Sequence, residues 1–319
     1  MQPRVMTVTG PLAPEQMGIT DAHSHLWIAP VAGAAPGSPV LEGQAAIQQE
    51  LLEYREAGGR SQIDCQPGGC GRDARRLHSL ALESKVQVVA STGFHLRRYY
   101  PPEAPLWLMD EDQAAAYFMD EINAGLRETR GVDEARANGP VVYPGQIKIA
   151  VRESLGSSPL RLMEAAAQAS LETGYAISMH TEKGFGVDQF LDFFLQRGVA
   201  PQRLIFYHVD KRPDFSLHAD LARAGVLLEY DTFFRPKYLP EKNLWPLLAQ
   251  MLEAGLERSL ALATDMAEAS LWHYQGGPGL AAFPHEIKRR LEAIPLEPKV
   301  VSRLMGGNIT RRLAIADKE

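Results

Sequence analysis

The chain has 319 residues, of which 45% are hydrophobic and 23% are charged, as is usual for a globular enzyme. It has 33 basic and 39 acidic residues, and the net charge of −6 argues against a nucleic-acid partner, which usually requires a basic face. No apolar run approaches the roughly 18 residues that span a membrane, and the amino-terminal stretch lacks the apolar region of a signal peptide. Two cysteines do not make a disulfide framework. We therefore expect a cytoplasmic protein with reduced thiols that binds neither nucleic acid nor a membrane.

Glycines divide the chain at regular intervals. Five of them follow a stretch of helical pattern and precede a short apolar run, namely Gly58, Gly174, Gly198, Gly225 and Gly255. Glycine adopts the left-handed conformation without a Cβ penalty, so these positions predict helix C-caps. The last four lie 24, 27 and 30 residues apart, the length of one strand, one helix and two short loops.

The pattern of elements predicts an α/β fold. We expect eight strands near 18–25, 60–65, 86–92, 144–149, 175–180, 203–208, 226–231 and 259–265. Helices are predicted between them, for example at 43–57, 73–84, 111–128, 159–173, 215–224 and 243–254, with long loops at 94–110 and 266–282. Alternating strands and helices favour a (β/α)8 TIM barrel that forms one domain over 1–319. A doubly wound open sheet is the alternative, but no glycine-rich nucleotide fingerprint supports it.

The segment His23-Ser24-His25 carries the first chemical signal. Histidines at i and i+2 of a strand point to the same face, where two imidazoles are able to bind one metal ion. Active sites of such barrels lie at the carboxyl ends of the strands. Ligand-type residues recur there on five predicted strands: His23, His25, Lys148, His180, His208 and Asp265. Asp64 and Asp231 are further polar residues at this level. One strand-end histidine is more often structural, but the whole set indicates a metal-dependent hydrolase.

Lys148 lies between two isoleucines of a predicted strand. If Ile147 and Ile149 face the helices, Lys148 points into the barrel, where an unpaired ammonium is costly. One interpretation is a lysine that reaches the rim or pairs with Asp265. The other is that its neutral amine reacts with CO2 to form a carbamate, an anionic ligand that bridges two divalent metals.

These motifs resemble the phosphotriesterase-like branch of the amidohydrolase superfamily over nearly the whole chain. The matching segments are His23-Ser24-His25, Gly71-Arg72-Asp73, Ser91-Thr92-Gly93-Phe94, Gly145-Gln146-Ile147-Lys148, His180-Thr181, Thr264-Asp265 and Gly307-Asn308. Ser24 departs from the glutamate that relatives often carry there, but it is expected to face away from the metals.

The resemblance implies a binuclear metal centre. His23, His25 and Asp265 would hold the buried ion, and His180 and His208 the more exposed one. Carboxylated Lys148 and a hydroxide would bridge the two ions, and Asp265 would accept the proton of the hydroxide as it attacks. Zn²⁺ is the expected metal, with Mn²⁺ or Co²⁺ as alternatives, because histidine and carboxylate ligands discriminate weakly among them. Relatives are often homodimers, so the resemblance implies that this chain also forms a homodimer.

The loops after strands 6 and 7 bear on the substrate, which we expect to be a small molecule. Their cations and a tyrosine predict a phosphate site, and their sequence resembles relatives that hydrolyse phosphorylated sugar lactones. Arg235 and Lys237 rank first as phosphate-binding residues, followed by Lys211, Arg212 and Tyr238. The alternative is that these charged side chains form a solvent-exposed rim of the barrel and do not bind substrate.

Two other functions remain open. A phosphotriesterase for neutral organophosphates would need apolar pockets, which Phe94, Tyr99, Tyr100 and Phe233 would line. A barrel that only binds ligand is the third hypothesis, against which the intact ligand set argues.

Overall fold

The computed structural model describes residues 2–131 and 139–316. That the whole chain, 1–319, forms one domain stays a prediction, because residues 1, 132–138 and 317–319 lie outside the described part. An antiparallel hairpin of β1 (Val5–Thr7) and β2 (Gly10–Leu12) opens the chain. It lies at the amino ends of the strands that follow, where the amide of Val8 donates to the carbonyl of Val88.

Eight parallel strands then form one sheet in sequential order, β3 to β10. Their bounds are β3 Thr20–Ser24, β4 Ser61–Asp64, β5 Gln87–Gly93, β6 Pro144–Ala150, β7 Ile177–His180, β8 Leu204–Tyr207, β9 Leu227–Tyr230 and β10 Leu260–Leu262. The last strand returns to the first, where the amide of Asp265 donates to the carbonyl of His23 at 2.9 Å. The sheet is therefore a nearly closed barrel, which confirms the (β/α)8 prediction and excludes the open doubly wound sheet.

Helices surround the barrel. In the described residues they are α1 Gln44–Glu56, α2 Ala74–Ser84, α3 Glu111–Ala124, α4 Arg127–Arg130, α5 Leu160–Thr173, α6 Val187–Gln196, α7 Phe215–Ala224, α8 Leu244–Glu253, α9 Lys288–Glu292, α10 Pro298–Ser302 and α11 Asn308–Leu313. The continuous helix predicted at 111–128 is wrong. Gly125, at φ 100°, ends α3 and redirects the chain into α4. The five glycines predicted to follow helices all have positive φ.

Alternation along the strands divides the core into two layers. Ile147 and Ile149 belong to the layer between barrel and helices, together with Phe118 of α3 and Met163 of α5. A second, smaller layer fills the barrel interior with residues such as Val89, Ile205 and Leu227. Lys148, between the two isoleucines, is fully buried, and its Nζ lies 5.2 Å from the ring centroid of Tyr207, a member of the inner layer. The sequence interpretation of this strand is therefore confirmed.

The two predicted loops, 94–110 and 266–282, contain only short 3-10 turns, such as Arg97–Tyr99 and Ala269–Leu271. The second loop is held by Glu50 of α1, whose carboxylate accepts hydrogen bonds from the amides of Tyr274 and Leu280. Among the helices of the described residues, none combines the length and apolar character that crossing a bilayer requires.

Candidate metal centre

The six predicted ligand residues meet at the carboxyl ends of the barrel strands. The Nε2 atoms of His23 and His25 lie 3.6 and 3.9 Å from Oδ1 of Asp265. His208 Nε2 and His180 Nδ1 are 2.9 Å apart. All six are buried except His180, whose side chain is 18% exposed. The grouping predicted from separate strand ends is therefore present as one cluster.

Gln66 fixes the orientation of His25. The Nδ1 atom of His25 donates to the amide oxygen Oε1 of Gln66 at 2.8 Å, because that oxygen only accepts. The remaining nitrogen, Nε2, points towards Asp265. Burial lowers the pKa of His25 to about 4, so its ring is neutral at pH 7. A neutral imidazole with a free Nε2 is the form that binds a metal ion.

Asp231 orients His208 in the same way. Its Oδ2 accepts a hydrogen bond from Nδ1 of His208, and both side chains are buried. The amide of His208 also donates to Oε2 of Glu229 at 2.9 Å. Burial lowers the pKa of His208 well below its ordinary value, so its Nε2 is available as a ligand atom. Sequence analysis noted Asp231 only as a further polar residue; its role depends on the position of His208.

Two of these residues have strained backbone conformations. His208 has φ 65° and Asp265 has φ 48°, although neither is a glycine. Neither lies within its strand as predicted: His208 directly follows the end of β8 at Tyr207, and Asp265 lies three residues after the end of β10 at Leu262. Left-handed non-glycine residues persist only where their surroundings hold them, and they concentrate at functional sites.

Lys148 lies on β6 beside Gly93 of β5. A Cβ atom on Gly93 would lie 1.9 Å from the carbonyl oxygen of Lys148, so only glycine fits there. The Nζ atom of Lys148 is buried and has no hydrogen-bond partner in residues 2–131 and 139–316. Burial lowers its pKa, which favours the neutral amine. The alternative of a lysine paired with Asp265 or extended to the rim is therefore not what the structure shows.

Glu229 is a site residue that the sequence analysis missed. It is fully buried on β9, and its Oε1 lies 3.9 Å from Nδ1 of His23. Burial, reinforced by the nearby carboxylates of Asp231 and Asp210, raises its pKa well above the ordinary value. One signal was available, because Glu229 is the only charged residue within the apolar strand Leu227–Tyr230.

The donor atoms of the cluster suit divalent metals. Two groups have ligand atoms within 4.8 Å of one another: His23 with His25 and Asp265, and His23 with His208, Glu229 and Asp231. Imidazole nitrogen and carboxylate oxygen are ligands of zinc and related ions. A buried amine without a partner, Lys148, adjoins them. The residues present therefore fit a metal centre.

A cavity of about 660 Å³ opens above the cluster. His25, His180, His208 and Asp265 lie at its base, and loop residues 28–40 and 267–269 form much of its wall. This volume is that of a small-molecule site. His95, which the sequence analysis did not single out, also lines it, and its ring centroid lies 5.2 Å from that of His180.

Of the predicted phosphate-binding residues, Lys211 alone lines this cavity within the described structure. Its Nζ lies 3.8 Å from Asp231 and 3.9 Å from Asp265. Burial lowers the pKa of Lys211, but these carboxylates outweigh it and the net shift is upward, so the side chain stays cationic.

The other four predicted residues have different surroundings. Arg235 is buried, and its Nη2 donates to Oδ2 of Asp265 at 2.9 Å. Arg212 pairs with Asp214 at 3.6 Å, and Lys237 is exposed beside the ring of Tyr238. The structure thus places Lys211 alone of the five at the cavity in the described residues, and the ranking of Arg235 and Lys237 as phosphate-binding residues stays a prediction.

The aromatic residues proposed for an apolar pocket are also distributed differently. Phe94 packs against Trp107 and Phe118 in the core. Phe233 is buried against Trp245, and the hydroxyl of Tyr100 accepts from the amide of His95. That leaves Tyr99 as the single member of this set at the cavity in the described part of the chain.

Comparison with known proteins gives the family of the chain and structures of similar fold. The profile of the Phosphotriesterase family matches residues 3–308. An uncharacterized protein of Mycoplasma pneumoniae is 31% identical over 251 residues, which cover 74% of this chain and 69% of that protein. A phospho-furanose lactonase of Mycoplasmopsis agalactiae is 29% identical over 253 residues, covering 75% and 69% of the two chains. The structure of a lactonase from Listeria monocytogenes superimposes with a TM-score of 0.86 at 22% identity, over 97% of this chain and 98% of the other, a likeness of fold.

Proposed function

Because the chain belongs to the phosphotriesterase family, we propose that it is a binuclear divalent-metal hydrolase that opens a lactone, and that the lactone is a phosphorylated sugar derivative. The observation that carries the proposal is the convergence of four histidines, Asp265 and the unpartnered Lys148 at one end of the barrel.

The ligand roles follow the positions of the side chains. His23, His25 and Asp265 would hold one ion, since their donor atoms already face one another. His180 and His208 would hold the other, with Lys148 between the two groups. The neutral Lys148 amine would attack CO2, forming an N–C bond and releasing one proton, which leaves an anionic carbamate. Zn²⁺ is the proposed metal, with Mn²⁺ or Co²⁺ as alternatives.

The two ions, when bound, would lower the pKa of a water molecule and polarise the carbonyl of the substrate. Asp265 would take up the proton that the water releases, because its carboxylate lies at the base of the cavity. Arg235 would hold that carboxylate in place through its hydrogen bond to Oδ2. Asp231 and Gln66 would keep the imidazoles of His208 and His25 in their ligand orientations.

Lys211 supports an anionic substrate. It is a cation at the cavity wall, held near the carboxylates of Asp231 and Asp265, and its ammonium would donate a charge-assisted hydrogen bond to a phosphate group in the cavity. The phospho-furanose lactonases among the relatives support the same substrate class. A neutral organophosphate is less well supported, because Tyr99 is the one residue of the expected aromatic set that reaches the cavity in the described structure. A barrel that only binds ligand would not explain the buried, unpartnered Lys148 among histidines.

The test compares a phosphorylated sugar lactone with the same lactone without phosphate and with paraoxon, using protein loaded with metal. We expect the phosphorylated lactone to be preferred. Lys211→Ala should lower kcat/KM for it by roughly ten- to a hundredfold, the usual loss for a charged hydrogen bond, and barely change the unphosphorylated lactone. Lys242→Ala, which removes an exposed cation, is the matched control. Preference for paraoxon would instead support the phosphotriesterase.

A further inference from the structure

A second cavity, of about 570 Å³, is lined by five arginines. They are Arg203, Arg258, Arg303, Arg311 and Arg312, and no acidic residue is among its described lining residues. The feature is unusual because the chain as a whole carries a net charge of −6. We refer to these five residues as the arginine cluster.

The arginine cluster lies at the end of the barrel opposite the candidate metal centre. Arg203 immediately precedes β8, and Arg258 lies two residues before β10. Arg311 and Arg312 come from α11, which packs at the amino ends of the strands with Ile309 and Leu313 in the inner core layer. Of the metal-centre residues, His208 and Asp265 lie beyond the carboxyl ends of these same two strands, β8 and β10. The two sites are therefore separate cavities at opposite ends of the barrel.

Among the described residues, a single carboxylate pairs with the five arginines of the cluster. Glu257 pairs with Arg303 at 2.9 Å and with Arg258 at 3.9 Å. Arg312 donates instead to the backbone carbonyls of Pro201, Leu204 and Gly225, at 3.0–3.3 Å.

The remaining two arginines of the cluster are Arg203 and Arg311. Arg203 donates to the carbonyl of Ser170. Neither Arg203, Arg311 nor Arg312 forms an ion pair with a carboxylate of the described residues. Backbone carbonyls position a guanidinium without cancelling its charge, and burial lowers the pKa of Arg312 to about 10.

We propose that the arginine cluster binds a small phosphorylated molecule at a site distinct from the metal centre. Guanidinium groups present paired N–H donors that match phosphate oxygens, which explains a cluster made of arginine alone. The volume suits a small molecule. A nucleic acid would need a wider basic face, and the net charge of the chain disfavours one. The proposal does not depend on which substrate the metal centre takes.

Isothermal titration of the metal-loaded full chain with inorganic pyrophosphate tests the proposal. The variant is Arg258→Gln with Arg311→Gln, because both side chains are exposed and their loss should not unfold the protein. Arg289→Gln, an exposed arginine of α9, is the matched control. We expect the Kd for pyrophosphate to rise by at least about tenfold in the double variant and to stay unchanged in the control.

Metal content is measured on the same samples, so that a change at the metal centre is distinguished from a change at the cluster. Equal affinity in wild type, double variant and control would place the pyrophosphate elsewhere and overturn the proposal. So would wild-type protein that binds a short single-stranded oligonucleotide through the cluster but not pyrophosphate. Loss of binding in the double variant with unchanged metal content would support it.

Discussion

The carboxylate of Asp231 accepts a hydrogen bond from Nδ1 of His208, and neither side chain is more than 2% exposed. This bond selects the tautomer of His208 in which Nε2 is the free nitrogen. Nε2 in turn faces Nδ1 of His180 at 2.9 Å. The carboxylate that follows β9 therefore bears on the orientation of two proposed ligands that come from β7 and from the end of β8. Hydrogen bonds of this kind raise metal affinity by orienting the ring before the ion binds.

Asp231→Asn tests this relationship with little change of shape. Because an amide holds the imidazole less well than a carboxylate, we expect metal affinity to fall by roughly ten- to a hundredfold. Competition with a chromophoric chelator measures the affinity. Asp220→Asn, a change at an exposed aspartate of α7, should leave it unchanged. Equal affinity in the two variants would contradict the orienting role.

The barrel, and the convergence of the six proposed ligand residues at one end of it, were predictable because they depend on local rules. Alternation along a strand places Lys148 inside the barrel once Ile147 and Ile149 face the helices. The topology then brings the residues after all eight strands to one end. Even the left-handed positions after the helices follow from glycine alone.

Roles that depend on contacts between distant segments were not predictable. The residues around Arg235 in the sequence do not show whether its side chain binds substrate or another side chain. Its partner, Asp265, lies 30 positions later. Gln66 acts on His25 across 41 positions, and only the register of β3 and β4 brings them together. The sequence analysis also missed the end of α3 at Gly125. The residues on both sides of this glycine have a helical pattern, so one helix was predicted across it.

If Lys148 is the proposed bridging ligand, Lys148→Ala should remove most of the metal and the activity. Wild-type protein prepared with metal and bicarbonate should contain about two divalent ions per chain, which elemental analysis measures. A short-chain carboxylic acid should restore part of the activity of the variant, because it supplies the two oxygens of the missing carbamate.

Lys288→Ala, on the outer surface, serves as the control for Lys148→Ala. A Lys148→Ala protein that keeps two metals and full activity would exclude the bridge. Wild-type protein without metal after reconstitution would exclude the binuclear centre itself.

Asp265→Asn should lower kcat by roughly 10²–10⁴-fold, the range for loss of an acid–base group. The amide keeps the shape of the side chain but takes up no proton at neutral pH. Steady-state kinetics and metal analysis on the same sample separate the proton-transfer role from a loss of metal. A variant within twofold of wild type would remove Asp265 from the mechanism.

A buried ion-pair network supports the wall of the barrel below the site. Arg72 donates to Glu121 at 3.0 Å and to Glu128 at 2.7 Å, and it also binds the carbonyl of Ser91 on β5. Arg72→Ala removes the ion pair of the buried carboxylate of Glu121, which should lower the free energy of unfolding by about 3–5 kcal/mol. Urea denaturation measures it. Arg289→Ala should stay within about 0.5 kcal/mol of wild type, as surface changes do. A similar loss in both variants would contradict the structural role of Arg72.

The positive charge of Arg235 has two possible roles, which are to bind the phosphate of the substrate or to hold Asp265 in place. Its guanidinium binds Oδ2 of Asp265 and also pairs with Glu268 at 3.2 Å, so we expect it to act on Asp265, the proposed proton acceptor, rather than on the substrate. Arg235→Ala should therefore lower kcat/KM for a phosphorylated lactone and for the same lactone without phosphate by the same factor. That factor should be roughly ten- to a hundredfold, the loss of one buried charge-assisted hydrogen bond. Lys211→Ala, measured alongside, should affect the phosphorylated lactone alone. If Arg235→Ala instead discriminates between the two lactones, Arg235 binds the phosphate and its contact with Asp265 is secondary.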